Sequence, residues 1–231
     1  MKIQGLQKMT LLDYPGRVAC TVFLGGCDFR CPFCHNFQLV EGPLPTLMED
    51  DEFFAFLGKR RGLLDGVAIT GGEPCLRGDL PDFLGKIRDA GFTVKLDTNG
   101  NHPRMLERVL GEGLADYVSM DVKNAPGKYA ETVGLAQLDL APLNESIEML
   151  MESGVEYEFR TTVVRELHEL RDFEEIGAWI RGAQRYFLQS FTTGDAVPDR
   201  ALSAPEPARL QEFKDVISPY VKRVEIRGLA L

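Results

Sequence analysis

Three cysteines, Cys27, Cys31 and Cys34, lie in the run Gly25-Gly26-Cys27-Asp28-Phe29-Arg30-Cys31-Pro32-Phe33-Cys34-His35-Asn36. Their C-x-x-x-C-x-x-C spacing lets three thiols converge on one inorganic centre. A [4Fe–4S] cluster normally takes four cysteines, so this loop either borrows a fourth ligand or leaves one iron open to a substrate or cofactor. Two plainer readings compete. Three thiolates and His35 would complete a zinc tetrahedron, although zinc sites usually arrive as two separated ligand pairs. Disulfides are disfavoured by an odd count of 5 cysteines and by a start, Met1 to Leu6, that lacks the apolar stretch of an export signal. Cys20, inside an apolar run, and Cys75 read as packing residues, because free cysteine behaves as a small hydrophobe.

Polar clusters recur farther along the chain: Gly71-Gly72-Glu73-Pro74, Asp97-Thr98-Asn99-Gly100 and Asp121-Val122-Lys123. Each directly follows a short apolar run. Val18 to Leu24 delivers the chain into the cysteine loop, Gly66 to Thr70 into the Gly-Gly-Glu-Pro segment, Thr93 to Leu96 into Asp97, and Tyr117 to Met120 into Asp121. Glu156 to Val164, Tyr186 to Phe191 and Val221 to Ile226 continue the series of predicted strands, after Ile3 to Leu12 as an extended lead-in. Between them lie helical patterns with apolar residues three and four apart, such as Leu80, Phe83, Leu84 and Ile87, or Leu143, Ile147, Leu150 and Met151. Pro43-Leu44-Pro45 stops regular structure; Thr46-x-x-Glu49, Asp172-x-x-Glu175 and Ser203-x-x-Glu206 read as helix caps, and Lys59, Arg60 and Arg61 as the basic last turn of the first helix. Six β-then-α units in series imply a parallel sheet with right-handed crossovers and helices outside, in one domain over 1–231 with 1–16 as lead-in and 203–231 as closing helix and strand. Loops after the carboxyl ends of parallel strands open on one rim, which places all four polar clusters together. Periodicity alone leaves an open doubly wound sheet and a partial barrel as alternatives.

The cysteine spacing, with aromatic Phe33 before the third cysteine, resembles the radical S-adenosylmethionine enzymes, and Cys34-His35-Asn36 narrows the resemblance to the activating enzymes of glycyl-radical proteins. The resemblance implies a partial (β/α)6 TIM barrel, one [4Fe–4S] cluster on Cys27, Cys31 and Cys34, and S-adenosylmethionine on the open iron. It implies that Gly71, Gly72, Glu73 and Pro74 hold the methionyl amine, with the glycines admitting close backbone approach. It implies that Asp97, Thr98, Asn99, Asp121 and Lys123 lie against the carboxylate and ribose, and that Asp97, Thr98 and Asp121 enclose a monovalent cation. A further cofactor contact is implied at His168, with a solvated loop histidine as the alternative. Reductive cleavage of the cofactor to a 5′-deoxyadenosyl radical then supplies hydrogen abstraction.

The interval from Asn36 to Thr46 is too short for an inserted ferredoxin-like domain, so a single cluster is expected. The resemblance points to compact activases of anaerobic ribonucleotide reductases, with a glycyl-radical enzyme as protein substrate and a flavodoxin or ferredoxin as electron donor. A small-molecule radical enzyme resembling 7-carboxy-7-deazaguanine synthase is the alternative. Composition agrees with a soluble globular chain: 231 residues, 44% hydrophobic and 26% charged. The net charge of −9 disfavours nucleic acid as a partner, and no apolar run approaches the ~20 residues that cross a bilayer, so the expected compartment is the cytoplasm.

Overall fold

A computed structural model gives the protein at residues 1–41 and 45–228, so Pro43 and Leu44 of the expected Pro-Leu-Pro stop lie outside the described residues. Eight strands form one sheet: β2 (Gly5–Thr10), β3 (Ala19–Leu24), β5 (Gly66–Gly71), β6 (Thr93–Thr98), β7 (Tyr117–Asp121), β8 (Glu156–Val163), β9 (Tyr186–Ser190) and β10 (Val224–Arg227). From β3 to β10 each strand pairs in parallel with its successor in this series, and β2 adds an antiparallel edge beside β3. The strand order never reverses, so successive right-handed crossovers wind in one direction and carry their helices to one face. The sheet curls into a partial (β/α)6 barrel rather than an open doubly wound sheet. Two further short strands, β1 (Lys2–Ile3) and β4 (Met48–Glu49), pair with each other.

The crossover helices are α1 (Asp50–Gly58), α2 (Leu80–Asp89), α3 (Pro103–Gly111), α4 (Tyr129–Thr132), α5 (Ala141–Glu152), α6 (Leu170–Trp179) and α7 (Pro207–Ile217). Each long helix buries the face its spacing foretells; α2 buries Leu80, Phe83, Leu84 and Ile87, and α6 stacks Phe173 on Phe213 of α7 with ring centroids 4.3 Å apart. Strand alternation sorts the sheet residues. Val94 and Leu96, or Val118 and Met120, join the apolar core, whereas the intervening Lys95, Ser119 and Glu158 are buried polar groups. The barrel lumen is thus polar and charged.

The predicted caps shift, for tertiary reasons. The β1–β4 pairing keeps the chain extended through Glu49, so α1 is capped by Glu49 with Glu52 rather than by Thr46. Glu169 caps α6 with Asp172 as its reciprocal partner, and Glu206 precedes Pro207 at the start of α7. Ser203 is engaged elsewhere, its backbone N–H donating to Glu166 at 2.9 Å. Lys59 follows the last residue of α1 instead of occupying its final turn, and the Arg60 guanidinium sits 5.4 Å from the Phe56 ring.

The ends of β3 and β5 approach unusually closely. Gly72 N–H donates to the Leu24 carbonyl at 2.8 Å and Glu73 N–H to the Gly26 carbonyl at 2.7 Å. Gly71 has φ +123°, and a Cβ there would stand 2.3 Å from Leu24 O; a Cβ on Gly72 would stand 2.0 Å from Gly26 O. These glycines therefore admit the neighbouring chain segment, a packing duty that the sequence reading did not assign to them. Gly72→Ala is expected to cost about 2–3 kcal/mol and lower the thermal midpoint by about 5–10 °C. Gly58→Ala, at the open end of α1, should leave the midpoint unchanged or raise it, as differential scanning calorimetry can check.

Candidate active site

The cysteine loop leaves β3 and is fastened on every side. Gly25 N–H donates to the Gln4 side chain at 2.7 Å and Gly26 N–H to the Leu39 carbonyl at 2.7 Å. The Arg30 guanidinium donates to the carbonyls of Cys27 and Phe29 at 2.6 and 2.9 Å, while Arg30 N–H reaches Val133 beyond α4. Asn36 donates from its amide to the Gly71 carbonyl at 3.1 Å. His35 bonds through Nε2 to the Thr192 carbonyl at 2.8 Å and lies against Phe191, so this ring ties the first crossover loop to the loop after β9.

All three loop cysteines border one cavity at the carboxyl ends of the strands, together with Phe33. Gly71, Gly72 and Glu73 border it from β5, Asp97, Thr98 and Asn99 from β6, and Asp121 and Lys123 from β7. The thiols are free, and Phe29 N–H lies 3.5 Å from Cys27 Sγ, the kind of contact that favours a ligating thiolate. Burial pushes the Cys27 thiol up to about 12 and that of Cys31 up to about 11, with the nearby Lys123 ammonium acting in the opposite sense on Cys31 and Cys34.

Glu73 is almost wholly enclosed. Its carboxylate accepts from Cys75 N–H at 2.9 Å, the Thr98 hydroxyl at 2.8 Å and Asn99 N–H at 2.6 Å, and burial still pushes it up to about 7. The Asn99 amide donates at 2.7 Å to Asp28, which also takes Asn101 at 2.6 Å and His102 at 3.1 Å. Asp28 therefore locks the cysteine loop to the turn after β6. Below these groups Asp97 and Asp121 flank Arg160, whose Nη2 donates to Asp97 at 3.0 Å and whose Nε donates to Asp121. Lys95 pairs with Asp97, and Lys123 with Asp121 at 2.7 Å. Burial alone would raise both carboxyls; Arg160, with Lys95 or Lys123, holds them below the ordinary range.

Two expected contacts lie behind the cavity wall. Pro74 is buried in a short turn of 3-10 helix beside Cys75. His168 is also buried: its Nδ1 accepts from Val164 N–H at 3.1 Å, which leaves Nε2–H to donate to the Lys123 carbonyl at 2.9 Å. This ring holds the backbone that presents Lys123 and does not border the cavity. Cys20 and Cys75 sit in the apolar core. Arg160, Thr162 and Gln189 border the cavity unforeseen, while His35 and Asn36 border it as part of the rim loop. The signal for Arg160 was a charged residue at every second position of a strand otherwise buried on both faces, Glu158 and Arg160 in β8.

The radical SAM superfamily pattern matches residues 21–196. The chain belongs to that superfamily. It is 31% identical over 235 residues to a Methanocaldococcus jannaschii protein described as a candidate glycyl-radical enzyme activating enzyme, an alignment covering 98% of this chain and 96% of the relative. Identity with the pyruvate formate-lyase-activating enzyme of Listeria monocytogenes is 24%, covering 97% and 80% of the two chains. Escherichia coli QueE shares the fold, with a TM-score of 0.55, 18% identity and coverage of 99% and 94%. Radical SAM membership implies a [4Fe–4S] cluster and S-adenosylmethionine, and the residues present fit both. Among the described residues no three His, Cys, Asp or Glu side chains crowd closely enough for a single metal ion. Three free thiols spread around a cavity instead suit a cluster, where each cysteine takes a different iron. The same cavity offers the buried carboxylate of Glu73 and the half-buried ammonium of Lys123 for a charged amino-acid moiety.

The tautomer of His168 sets a pH dependence. Burial lowers its pKa below the ordinary 6.5, so the unfolded chain takes up a proton that the folded chain resists. This stability is complete above pH 6.5 and is lost as pH falls toward the depressed folded value. Urea unfolding of the cluster-free chain at pH 7.5, 6.5 and 5.5 should show a slope of up to about 1.4 kcal/mol per pH unit below 6.5 that His168→Gln lacks. Parallel curves for the two proteins would contradict the neutral, double-anchored ring.

Proposed function

We propose that this chain is an activating enzyme that removes a hydrogen atom from a backbone glycine of a partner glycyl-radical enzyme, an anaerobic ribonucleotide reductase or a similar protein. The observation that carries the reading is the near-complete alignment, at 31% identity, with a protein described as a candidate glycyl-radical enzyme activating enzyme, on a chain whose three-thiol loop borders the same cavity as Glu73, Asp97 and Lys123. The Cys34-His35-Asn36 segment contributes by tying that loop to both flanks of the barrel mouth.

Within this reading Cys27, Cys31 and Cys34 would hold three irons and leave the fourth to the methionyl amine and carboxylate. When bound and given one electron by an external donor, the cluster and S-adenosylmethionine would supply hydrogen-abstracting chemistry at the 5′-deoxyadenosyl carbon, with methionine as the leaving group. The chain's own residues bind and orient. Glu73 would accept from the methionyl amino group, Lys123 would face its carboxylate, and Asn99 and Asp121, which border the cavity, would lie against the ribose. Phe33 and Phe29 supply apolar wall beside the thiols, which restricts water where an unquenched radical must survive. A single domain over the whole chain carries the site, with a flavodoxin or ferredoxin as electron donor in the cytoplasm. A monovalent cation at Asp97, Thr98 and Asp121 has no place in this reading, because those groups are already engaged by the chain's own donors.

Anaerobically reconstituted protein reduced with dithionite should convert S-adenosylmethionine to 5′-deoxyadenosine, measured by chromatography. Cys31→Ala should form none, whereas Cys20→Ala should remain close to wild type because Cys20 is wholly within the core. Adding an anaerobic ribonucleotide reductase, or another glycyl-radical enzyme from the same source, should produce the glycyl doublet in the EPR spectrum. Cofactor cleavage with no doublet from any such partner would overturn the activase reading in favour of a small-molecule substrate.

A further inference from the structure

The floor of the cavity is a closed chain of charges running Lys95, Asp97, Arg160, Asp121, Lys123. Every carboxylate oxygen in it has a cationic partner from the protein. Asp97 Oδ1 accepts from the Lys95 ammonium and Oδ2 from Arg160 Nη2 at 3.0 Å; Asp121 Oδ1 accepts from Arg160 Nε and Oδ2 from Lys123 Nζ at 2.7 Å. Thr98, the third group in the candidate cation site, is turned away, its hydroxyl donating to Glu73 at 2.8 Å and accepting from Gly100 N–H at 3.1 Å. Three cations against two anions leave this chain at +1. The next buried carboxylate beneath it, Glu158, has its own partner in Arg227, which donates to both its oxygens at 2.7 and 2.8 Å.

A metal cation entering between Asp97 and Asp121 would have to displace a guanidinium or an ammonium from oxygens it already satisfies, in a site where charges are poorly screened. Lys95 is the group that closes the set. It lies two residues before Asp97 on β6, hence on the same lumen-facing side of the strand, and its side chain is only 3% exposed. With Arg160 alone, Asp97 Oδ1 would face the lumen unpaired.

We propose that Lys95 is this chain's built-in substitute for a bound monovalent cation, so that the Asp97–Asp121 pair is neutralised by protein side chains and the cavity takes its cofactor without K⁺ or Na⁺. Lys95 acts as a positioning residue, fixing Asp97 from below. The inference concerns the cofactor cavity and holds whichever hydrogen donor is the substrate.

Two measurements test it. On the cluster-free wild-type chain, the thermal midpoint and the ²³Na line width should show no saturable dependence on Na⁺, or on K⁺ in competition, relative to tetramethylammonium at equal ionic strength. On the reconstituted protein, equilibrium dialysis in the three salts should give S-adenosylmethionine dissociation constants within about twofold, and tightening of about fivefold or more by K⁺ or Na⁺ overturns the proposal. Lys95→Met, which leaves Asp97 Oδ1 without its partner, should gain a midpoint that rises with K⁺ or Na⁺ but not with tetramethylammonium. A folded Lys95→Met protein indifferent to all three salts also overturns it. Should that variant fail to fold in every salt, the wild-type measurements decide alone.

Discussion

The active site rests on how closely two strand ends can approach. Where β3 and β5 leave the sheet, Gly71 and Gly72 lie against Leu24 and Gly26 so tightly that a single methyl group would overlap a carbonyl oxygen. The two backbone bonds made there, Gly72 to Leu24 and Glu73 to Gly26, fix the height of the cysteine loop relative to Glu73. Everything at the barrel mouth inherits that height. The thiols face a carboxylate because the chain segments carrying them are in van der Waals contact, and a larger residue would separate them before it touched any ligand.

A second constraint is the polarity of the lumen. A small barrel of this kind is commonly filled by apolar side chains, yet here the interior positions of β6, β7 and β8 are Lys95 and Asp97, Ser119 and Asp121, and Glu158 and Arg160. Buried charges are tolerated only when fully paired, and removing one partner from such a network typically costs about 3–5 kcal/mol. The pairing here has two tiers. Glu158 is closed by Arg227, Tyr117 and Ser119, and above it the two aspartates are closed by Lys95, Arg160 and Lys123. Such a lumen gives up stabilisation from apolar burial in exchange for a preset electrostatic floor, which suits a cofactor with a zwitterionic tail.

Much of this was legible in the chain, and the reason is local. Short apolar runs, each followed by a polar cluster, give both strand and rim position, so Cys27, Glu73, Asp97 and Asp121 could be placed together before any coordinate was known. What was not legible depends on contacts distant in sequence. Arg160 bonds to residues 63 and 39 positions away, and the alternating charges of β8 mark a polar face without naming the partners on β6 and β7. The helix caps failed for the same reason: Thr46 and Ser203 are good capping residues by type, but the β1–β4 pairing and Glu166 claim the chain first. His168 was expected either at the cofactor, as the resemblance implies, or solvated in its loop; it is buried, and its two ring nitrogens are spent on Val164 and Lys123.

The Cys34-His35-Asn36 segment shows how a motif can matter through shape. A partial barrel is open between its edge strands, β2 and β10, so the mouth lacks the hydrogen-bonded closure that a full barrel would impose. His35 reaches from the loop after β3 to Thr192 after β9, and Asn36 reaches to Gly71 at the end of β5. Asp199 N–H adds a second tie from the β9 side, to the Pro32 carbonyl at 3.0 Å. These bonds hold the cysteine loop from both flanks of the sheet, a function that neither a metal ligand nor an acid–base group would serve. The residues beside the third cysteine are therefore best understood as the ties that keep an open barrel from spreading at the end where the thiols must stay in register with Glu73 and Lys123.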